Sequence, residues 1–140
     1  MISTKGRYAL RVMIDLAEHA EDGCVPLRSI AERQEISKKY LEIIVRDLVD
    51  ARLITGASGR GGGYRLCRAP EEYTIGEILL STEGPIGTVA CLYPGADACP
   101  RAGECRTLPL WAEYDRLTRD FFDSKRLSDL IRTKGPADHT

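Results

Sequence analysis

Between residues 27 and 67 the spacing of apolar residues changes from a helical period to alternation, and a run of glycines marks the change. Leu27-Arg28-Ser29-Ile30-Ala31-Glu32-Arg33-Gln34 predicts a short helix from about Arg28 to Gln34. Ser37 is a good N-cap for a second, longer helix, because its hydroxyl can accept from a backbone N–H left unpaired in the first turn. Ile30, Ala31, Ile36, Leu41, Val45 and Leu48 fall where two crossing helices would bury them, and small Ala31 allows close approach. By itself this is either a helix-turn-helix or an ordinary αα-hairpin. The next segment separates the two. Leu53-Ile54-Thr55 reads as a strand, Ser58-Gly59-Arg60-Gly61-Gly62-Gly63 as a flexible turn, and Tyr64-Arg65-Leu66-Cys67 as a second strand with Arg65 and Cys67 on one face. A helix-turn-helix followed at once by a β-hairpin with a basic tip is the order of a winged helix. The glycines let that tip approach a nucleic-acid backbone closely. A nucleotide-binding phosphate loop is excluded, since no Gly-Lys-Ser/Thr follows and a strand, not a helix, comes next.

The flanking segments complete a mainly α fold with a small β-wing. Ala9, Val12, Met13, Leu16 and Ala20, widened by Leu10 and Ile14, predict a helix over residues 5–20 that is buried on more than one side. Thr74-Ile75-Gly76-Glu77 is a capping box opening a helix through Leu80, which Gly84-Pro85 ends. Residues 86–106 read as irregular. From Thr107 a long helix carries Leu110, Tyr114, Leu117 and Phe121 at 4-3-4 spacing, with Trp111 beside them. That is a two-heptad seam. Such a stripe is either intramolecular core or a dimer interface, and the chain offers little other surface to cover it. Leu127, Leu130 and Ile131 suggest a short terminal helix, and the tail from Lys134 reads as disordered. The expected organisation is a DNA-binding domain over 1–85, a cysteine loop over 86–106, a dimerisation helix with a terminal helix over 107–133, and a tail over 134–140.

Charge and cysteine usage narrow the function. Residues 1–70 carry twelve Lys/Arg against nine Asp/Glu, and residues 71–140 eight against twelve, so a near-neutral chain is basic in its first half. Seven basic side chains and three acidic ones fall within residues 37–68. This is either a phosphate footprint or a solvated face. No apolar run approaches the roughly 20 residues needed to span a membrane, and no secretory leader is recognisable at the N-terminus, so a cytoplasmic protein with reduced thiols is expected. Cys24 and Cys67 are isolated and read as small, partly buried hydrophobes. Cys91-x7-Cys99-x5-Cys105 is different: three thiols in one Gly/Pro-containing loop can converge on a soft metal. The spacing lacks the close CxxC pair of a zinc ribbon, and iron–sulfur clusters take cysteine thiolates.

Four blocks in one order resemble the Rrf2 family of winged-helix transcriptional regulators, the IscR, NsrR, RirA and CymR group: Ser3-Thr4-Lys5-Gly6-Arg7-Tyr8-Ala9-Leu10, Ile36-Ser37-x-x-Tyr40-Leu41-Glu42, Gly61-Gly62-Gly63-Tyr64, and the three cysteines ahead of Leu110-Trp111. The resemblance spans roughly residues 2–132. It implies a homodimer paired through the long C-terminal helix, with Leu110, Trp111, Tyr114, Leu117 and Phe121 at the interface. It also implies a double-stranded DNA operator entered by the helix that starts at Ser37. Ser37, Lys39 and Glu42 match positions that approach bases, and Tyr40 lies among them. Glu42 suits a cytosine amine, while Lys38 and Arg46 suit phosphate. Where family members place an arginine at the start of the wing this chain has Ser58, followed by Gly59, Arg60 and Gly61, so Arg60 is the expected substitute.

The same resemblance implies an iron–sulfur cluster on Cys91, Cys99 and Cys105, with 4Fe–4S favoured over 2Fe–2S by the long first spacing. Two devices by which relatives supply a fourth ligand are missing. Leu108 stands where some have a histidine, and Arg7 where others have an aspartate. Cys24, Asp97, Glu104, a backbone or N-terminal group, a small thiol and water remain as candidates. The function implied is a transcription regulator, repressor or activator, whose DNA affinity follows iron, redox state or nitric oxide. A cluster-free regulator acting through thiol redox chemistry or a protein partner is the alternative. An iron–sulfur electron-transfer module or enzyme fits worse, because it leaves the basic hairpin without a use and no nucleophile–base constellation stands out. The only histidines are His19 and His139.

Overall fold

The computed structural model describes residues 2–84 and 103–132. Five α-helices and one two-stranded antiparallel sheet follow in the order α1 (Thr4–Glu18), α2 (Leu27–Gln34), α3 (Lys38–Asp50), β1 (Ile54–Ala57), β2 (Gly63–Leu66), α4 (Ile75–Glu83) and α5 (Leu108–Ser124). The mainly helical fold with a β-wing is therefore as expected. The first helix is shorter than its apolar period suggests. It ends at Glu18, and Ala20 belongs to a 3-10 turn, Ala20–Asp22. The fourth runs on past Leu80 to Glu83, where Gly84 at φ 76° ends it. The terminal helix is a single 3-10 turn, Leu127–Asp129.

α1 is the hub, packing on α2, α3, α4 and β2. Its Ala9, Val12, Met13 and Leu16 are buried together with Ile30 of α2, Leu41, Ile44, Val45 and Leu48 of α3, and Ile75, Ile78 and Leu79 of α4. These apolar stripes exclude water from one common core, which is the dominant favourable term in such a packing. Leu127 is fully buried in the same cluster. The chain beyond α5 thus returns to the core of the first four helices: the Ile75 N–H donates to the Lys125 carbonyl, and the Leu127 N–H to the Tyr73 carbonyl.

Two helix ends carry non-glycine residues in the left-handed region. Glu35, at φ 54°, ends α2, and Arg52, at φ 62°, follows α3. At the second, the Leu53 N–H reaches the Leu48 carbonyl and the Arg52 N–H reaches that of Val49. This pair of bonds satisfies the last carbonyls of α3 and turns the chain into the wing. It also explains why the first strand starts at Ile54 instead of Leu53. The wing pairs Ile54 with Leu66, Thr55 with Arg65, Gly56 with Tyr64 and Ala57 with Gly63. Val25, just before α2, adds a bridge to Tyr64, with N–H···O distances of 2.8 and 2.9 Å. Gly63, at φ 139°, makes this approach possible: a Cβ there would lie 2.3 Å from the Val25 carbonyl oxygen. Alternation places Arg65 and Cys67 outward, as expected, but Cys67 is exposed and not a partly buried hydrophobe. It continues the outer face of β2, which nothing described covers. Cys24 is half-buried, as its neighbours predict.

The base of the wing is fixed by one fully buried side chain. The Tyr73 hydroxyl donates to the Leu53 carbonyl at 2.6 Å and accepts from the N–H groups of Cys67 (2.9 Å) and Arg68 (3.0 Å). Burial pushes the Tyr73 phenol above its ordinary value, so it stays a neutral donor. Arg68 lies over the Tyr73 ring and grips Glu77 with bonds of 2.9 and 3.2 Å. Glu77 also closes the capping box on Thr74. Burial raises the Glu77 carboxyl, but the Arg68 bonds and the Thr74 cap outweigh it and hold the group below the usual glutamate range. Tyr73→Phe removes one donor and one acceptor from three backbone groups. It is expected to cost about 1–3 kcal/mol in urea unfolding; an unchanged midpoint would show that the hydroxyl does not hold the wing.

Candidate nucleic-acid interface and thiol site

The helix-turn-helix is held by charge as well as by apolar packing. Asp15, buried on α1, accepts from Arg33 Nε (3.0 Å) and Nη2 (2.8 Å) and from Gln34 Nε2 (3.0 Å). One turn earlier on α1, Arg11 donates to the Gln34 side-chain oxygen at 3.1 Å and to the Gln34 carbonyl. The bond to Asp15 holds the Arg33 guanidinium above its ordinary pKa, so it stays charged. α2 is therefore fastened to α1 at its last turn, just where Glu35 redirects the chain into α3. None of these partners was singled out from the sequence. The signal was an acid set inside the apolar stripe of α1, between Met13 and Leu16. A buried carboxylate needs a partner, and Arg33 and Gln34 were available.

α3 begins as predicted, with the Ser37 side chain accepting from the Tyr40 N–H at 3.2 Å. Lys38, Lys39, Glu42 and Arg46 are exposed along its outward side, while Leu41, Ile44, Val45 and Leu48 face the core. Tyr40 differs from its expected neighbours. It is half-buried, and its ring meets Tyr8 of α1 edge-on at 5.7 Å between centroids. Asp47 is ion-paired with Lys5, so one of the acids of α3 is neutralised from behind. Among the described residues no ion pair occupies Lys38, Lys39, Arg46 or Arg60. At the wing tip Ser58, Gly59, Arg60 and Gly61 are all exposed, and Gly59 (φ 85°) and Gly61 (φ 72°) take turn conformations that a side chain would disfavour. Unpaired cations on one helix face and on a hairpin tip form a surface suited to phosphate.

The thiol site is visible in part. Cys91 and Cys99 lie outside the described residues, as does most of the 86–106 loop and all of the 134–140 tail. Cys105 is half-buried, two residues before α5. Its Sγ lies 3.4 Å from the Thr107 hydroxyl. Hydrogen bonding from that hydroxyl, then from the backbone N–H groups of Thr107 and Leu108, lowers the Cys105 pKa and favours the thiolate. Thr107 gives α5 no side-chain cap. The sulfur thus lies beside the uncapped start of α5. A thiolate is the form that a soft metal takes as ligand. Among the described residues no group of three or more His, Cys, Asp or Glu gathers as a metal site. Arg7 is exposed and bonds back to Thr4 within α1. Further along α5, Leu110, Tyr114, Leu117 and Phe121 are 56–57% exposed, and Trp111 is half-buried. The seam is therefore not core within a single chain. No helix among the described residues is long and apolar enough to cross a membrane.

A helix-turn-helix joined to a basic β-wing places the chain among the winged-helix DNA-binding regulators. The chain belongs to the Rrf2 family, whose model, described as an iron-dependent transcriptional regulator, matches residues 2–133. It is 36% identical over 130 residues to the HTH-type transcriptional regulator IscR of Aliivibrio salmonicida, covering 93% of this chain and 76% of that protein. Among solved structures it is similar to CymR, the global cysteine regulator of B. subtilis, with a TM-score of 0.77, 35% identity and coverage of 93% and 95%. It is also similar to T. potens IscR, with a TM-score of 0.72, 33% identity and coverage of 93% and 85%. These relatives are transcriptional regulators, not enzymes. The protein is accordingly a DNA-binding transcriptional regulator. Arg60→Ala is expected to weaken operator binding nearly uniformly across sequences and to lower the salt slope by about one. Equal affinity in gel-shift titrations at matched salt would remove Arg60 from the contact surface.

Proposed function

We propose that this regulator works as a homodimer that reads a double-stranded operator through α3 and the wing, with DNA affinity set by an iron–sulfur cluster on Cys91, Cys99 and Cys105. Ser37, Lys39 and Glu42 face the bases, Lys38 and Arg46 the phosphates, and Ser58, Gly59, Arg60 and Gly61 bring the wing to the backbone beside them. Tyr40 keeps α3 seated on α1 and acts from behind the surface. One observation carries the regulatory half: Cys105, the described member of the cysteine trio, lies just ahead of the helix that bears the exposed seam, with its Sγ 3.4 Å from the Thr107 hydroxyl at that helix's start. The family description as iron-dependent and the IscR relatives support the same reading. Three thiolates fit an iron–sulfur cluster, with 4Fe–4S favoured by the x7 spacing. The fourth position falls to another donor, since Leu108 offers none.

When bound, the cluster supplies an iron- and redox-sensitive cross-link between the cysteine loop and α5. The chain's own contacts carry the consequence inward. α5 packs on α4. Beyond it, Lys125 and Leu127 bond to Ile75 and Tyr73. Tyr73 in turn fixes the wing. A shift at Cys105 therefore changes how the two DNA-reading surfaces of a dimer are spaced, and half-site recognition depends on that spacing. A second reading, thiol redox control without a cluster, draws on the likeness to CymR, one of whose solved structures, from Staphylococcus aureus, is an oxidised form.

Anaerobically purified protein is expected to hold iron and sulfide, to absorb in the visible sulfur-to-iron charge-transfer region, and to differ about tenfold or more in operator affinity from the Cys91→Ser/Cys99→Ser/Cys105→Ser variant. Equal affinities would sink regulation by the cluster, and iron-free protein with redox-dependent binding would favour the second reading. Leu117→Asp, at the middle of the exposed seam, is expected to convert a dimer to a monomer in light scattering at micromolar concentration. A wild-type monomer would overturn the dimer itself.

A further inference from the structure

α3 exposes two large apolar side chains among its polar ones, Ile43 and, near its C-terminal end, Val49. Ile43 is 45% exposed, on the same outward side as Lys39, Glu42 and Arg46. Lys39 precedes it by one turn and Arg46 follows at three residues, while Asp47, at four, is neutralised by Lys5, so the unpaired charges one turn away along the helix are cations. Isolated apolar side chains are common on surfaces, but this one lies in the first half of the second helix of a helix-turn-helix, the part that meets base edges. The flanking charges decide what can cover it. Free Lys38, Lys39 and Arg46 would repel an apolar protein surface that leaves them desolvated. They match the phosphates on either side of a major groove. Within that groove the one apolar group that a base presents is the thymine C5-methyl.

We propose that Ile43 is a specificity-determining residue that packs against a thymine methyl in each half-site, next to the base read by Glu42. A helix advances about 1.5 Å per residue, less than the spacing of base pairs, so adjacent side chains on α3 address the same or neighbouring pairs. Glu42 accepts from an amine, and Ile43 selects a methyl that cytosine lacks. Together they distinguish a pyrimidine pair that phosphate contacts cannot. The inference rests on the reading that α3 enters the major groove.

The test starts from operator duplexes selected from a random pool with the full-length protein. Each thymine is then replaced singly by uracil, which removes only the methyl. One position per half-site is expected to weaken wild-type binding about fourfold, the equivalent of ~0.8 kcal/mol for a buried methyl-sized group. The same replacement should leave Ile43→Ala unaffected. Ile43→Ala should unfold with wild-type stability, since its side chain lies outside the core. If no uracil replacement separates the two proteins while Glu42→Ala still changes the selected sequence, α3 reads bases without Ile43 and this inference alone is overturned. If neither variant changes the selected sequence, α3 is not the reading helix, and the proposed mode of DNA recognition falls with it.

Discussion

A single buried carboxylate organises the DNA-facing half of the molecule. Asp15 is removed from solvent on α1 and takes two bonds from Arg33 and one from Gln34. A charge in that position is tolerable only because it is paired and hydrogen-bonded. Apolar packing between α1 and α2 is tolerant of sliding, whereas three directed bonds to one group are not. They fix the end of α2, and Glu35 in its left-handed conformation then sets the direction of α3. The stability supplied by such a pair is modest after desolvation. Its larger consequence is angular, because a recognition surface must meet the groove at a defined tilt. His19, just past the end of α1, completes the surroundings with its Nδ1 3.8 Å from the Asp15 carboxylate.

A second polar knot, at Tyr73, does for the wing what Asp15 does for the helices. The phenol joins the end of the α3–wing connection, the exit of β2 and the chain that leads into α4. The backbone after α5 is bonded to the same stretch through Leu127 and Ile75. The wing and the chain that follows the C-terminal helix therefore share one hydrogen-bonded junction. In the proposed mechanism such a junction is required, since an event at Cys105 would reach DNA only if the elements between are not free to absorb it. Cooperative packing and hydrogen bonds, not distance, supply that coupling.

Much of this was legible in the sequence. The change of period around the glycine run placed two helices ahead of a hairpin. Ser37 and Thr74 marked helix starts that the structure keeps, and the 4-3-4 seam on α5 was recognisable as a face without an internal partner. Other features were not legible. Arg52 in the left-handed region gave no warning, because that position is ordinarily glycine, and it moved the first strand by one residue. Cys67 read as a partly buried hydrophobe, yet it lies on the uncovered face of β2. Ile43 was not singled out in the sequence. Only the helix's rotation against α1 shows that it points away from the core.

Local chemistry alone thus determined which segments are helix, strand and turn, because caps, periods and glycines act over a few residues. The tertiary structure decided which polar groups meet: Asp15 with Arg33, Tyr73 with Leu53, and the Cys105 sulfur with the open end of α5. The first two pairs are 18 and 20 residues apart in the chain. The third depends on the path of the backbone into a helix that lacks a side-chain cap. Directed interactions of this kind depend on geometry that no local pattern encodes, and here they hold the DNA-reading surface and the candidate sensing thiol in one frame.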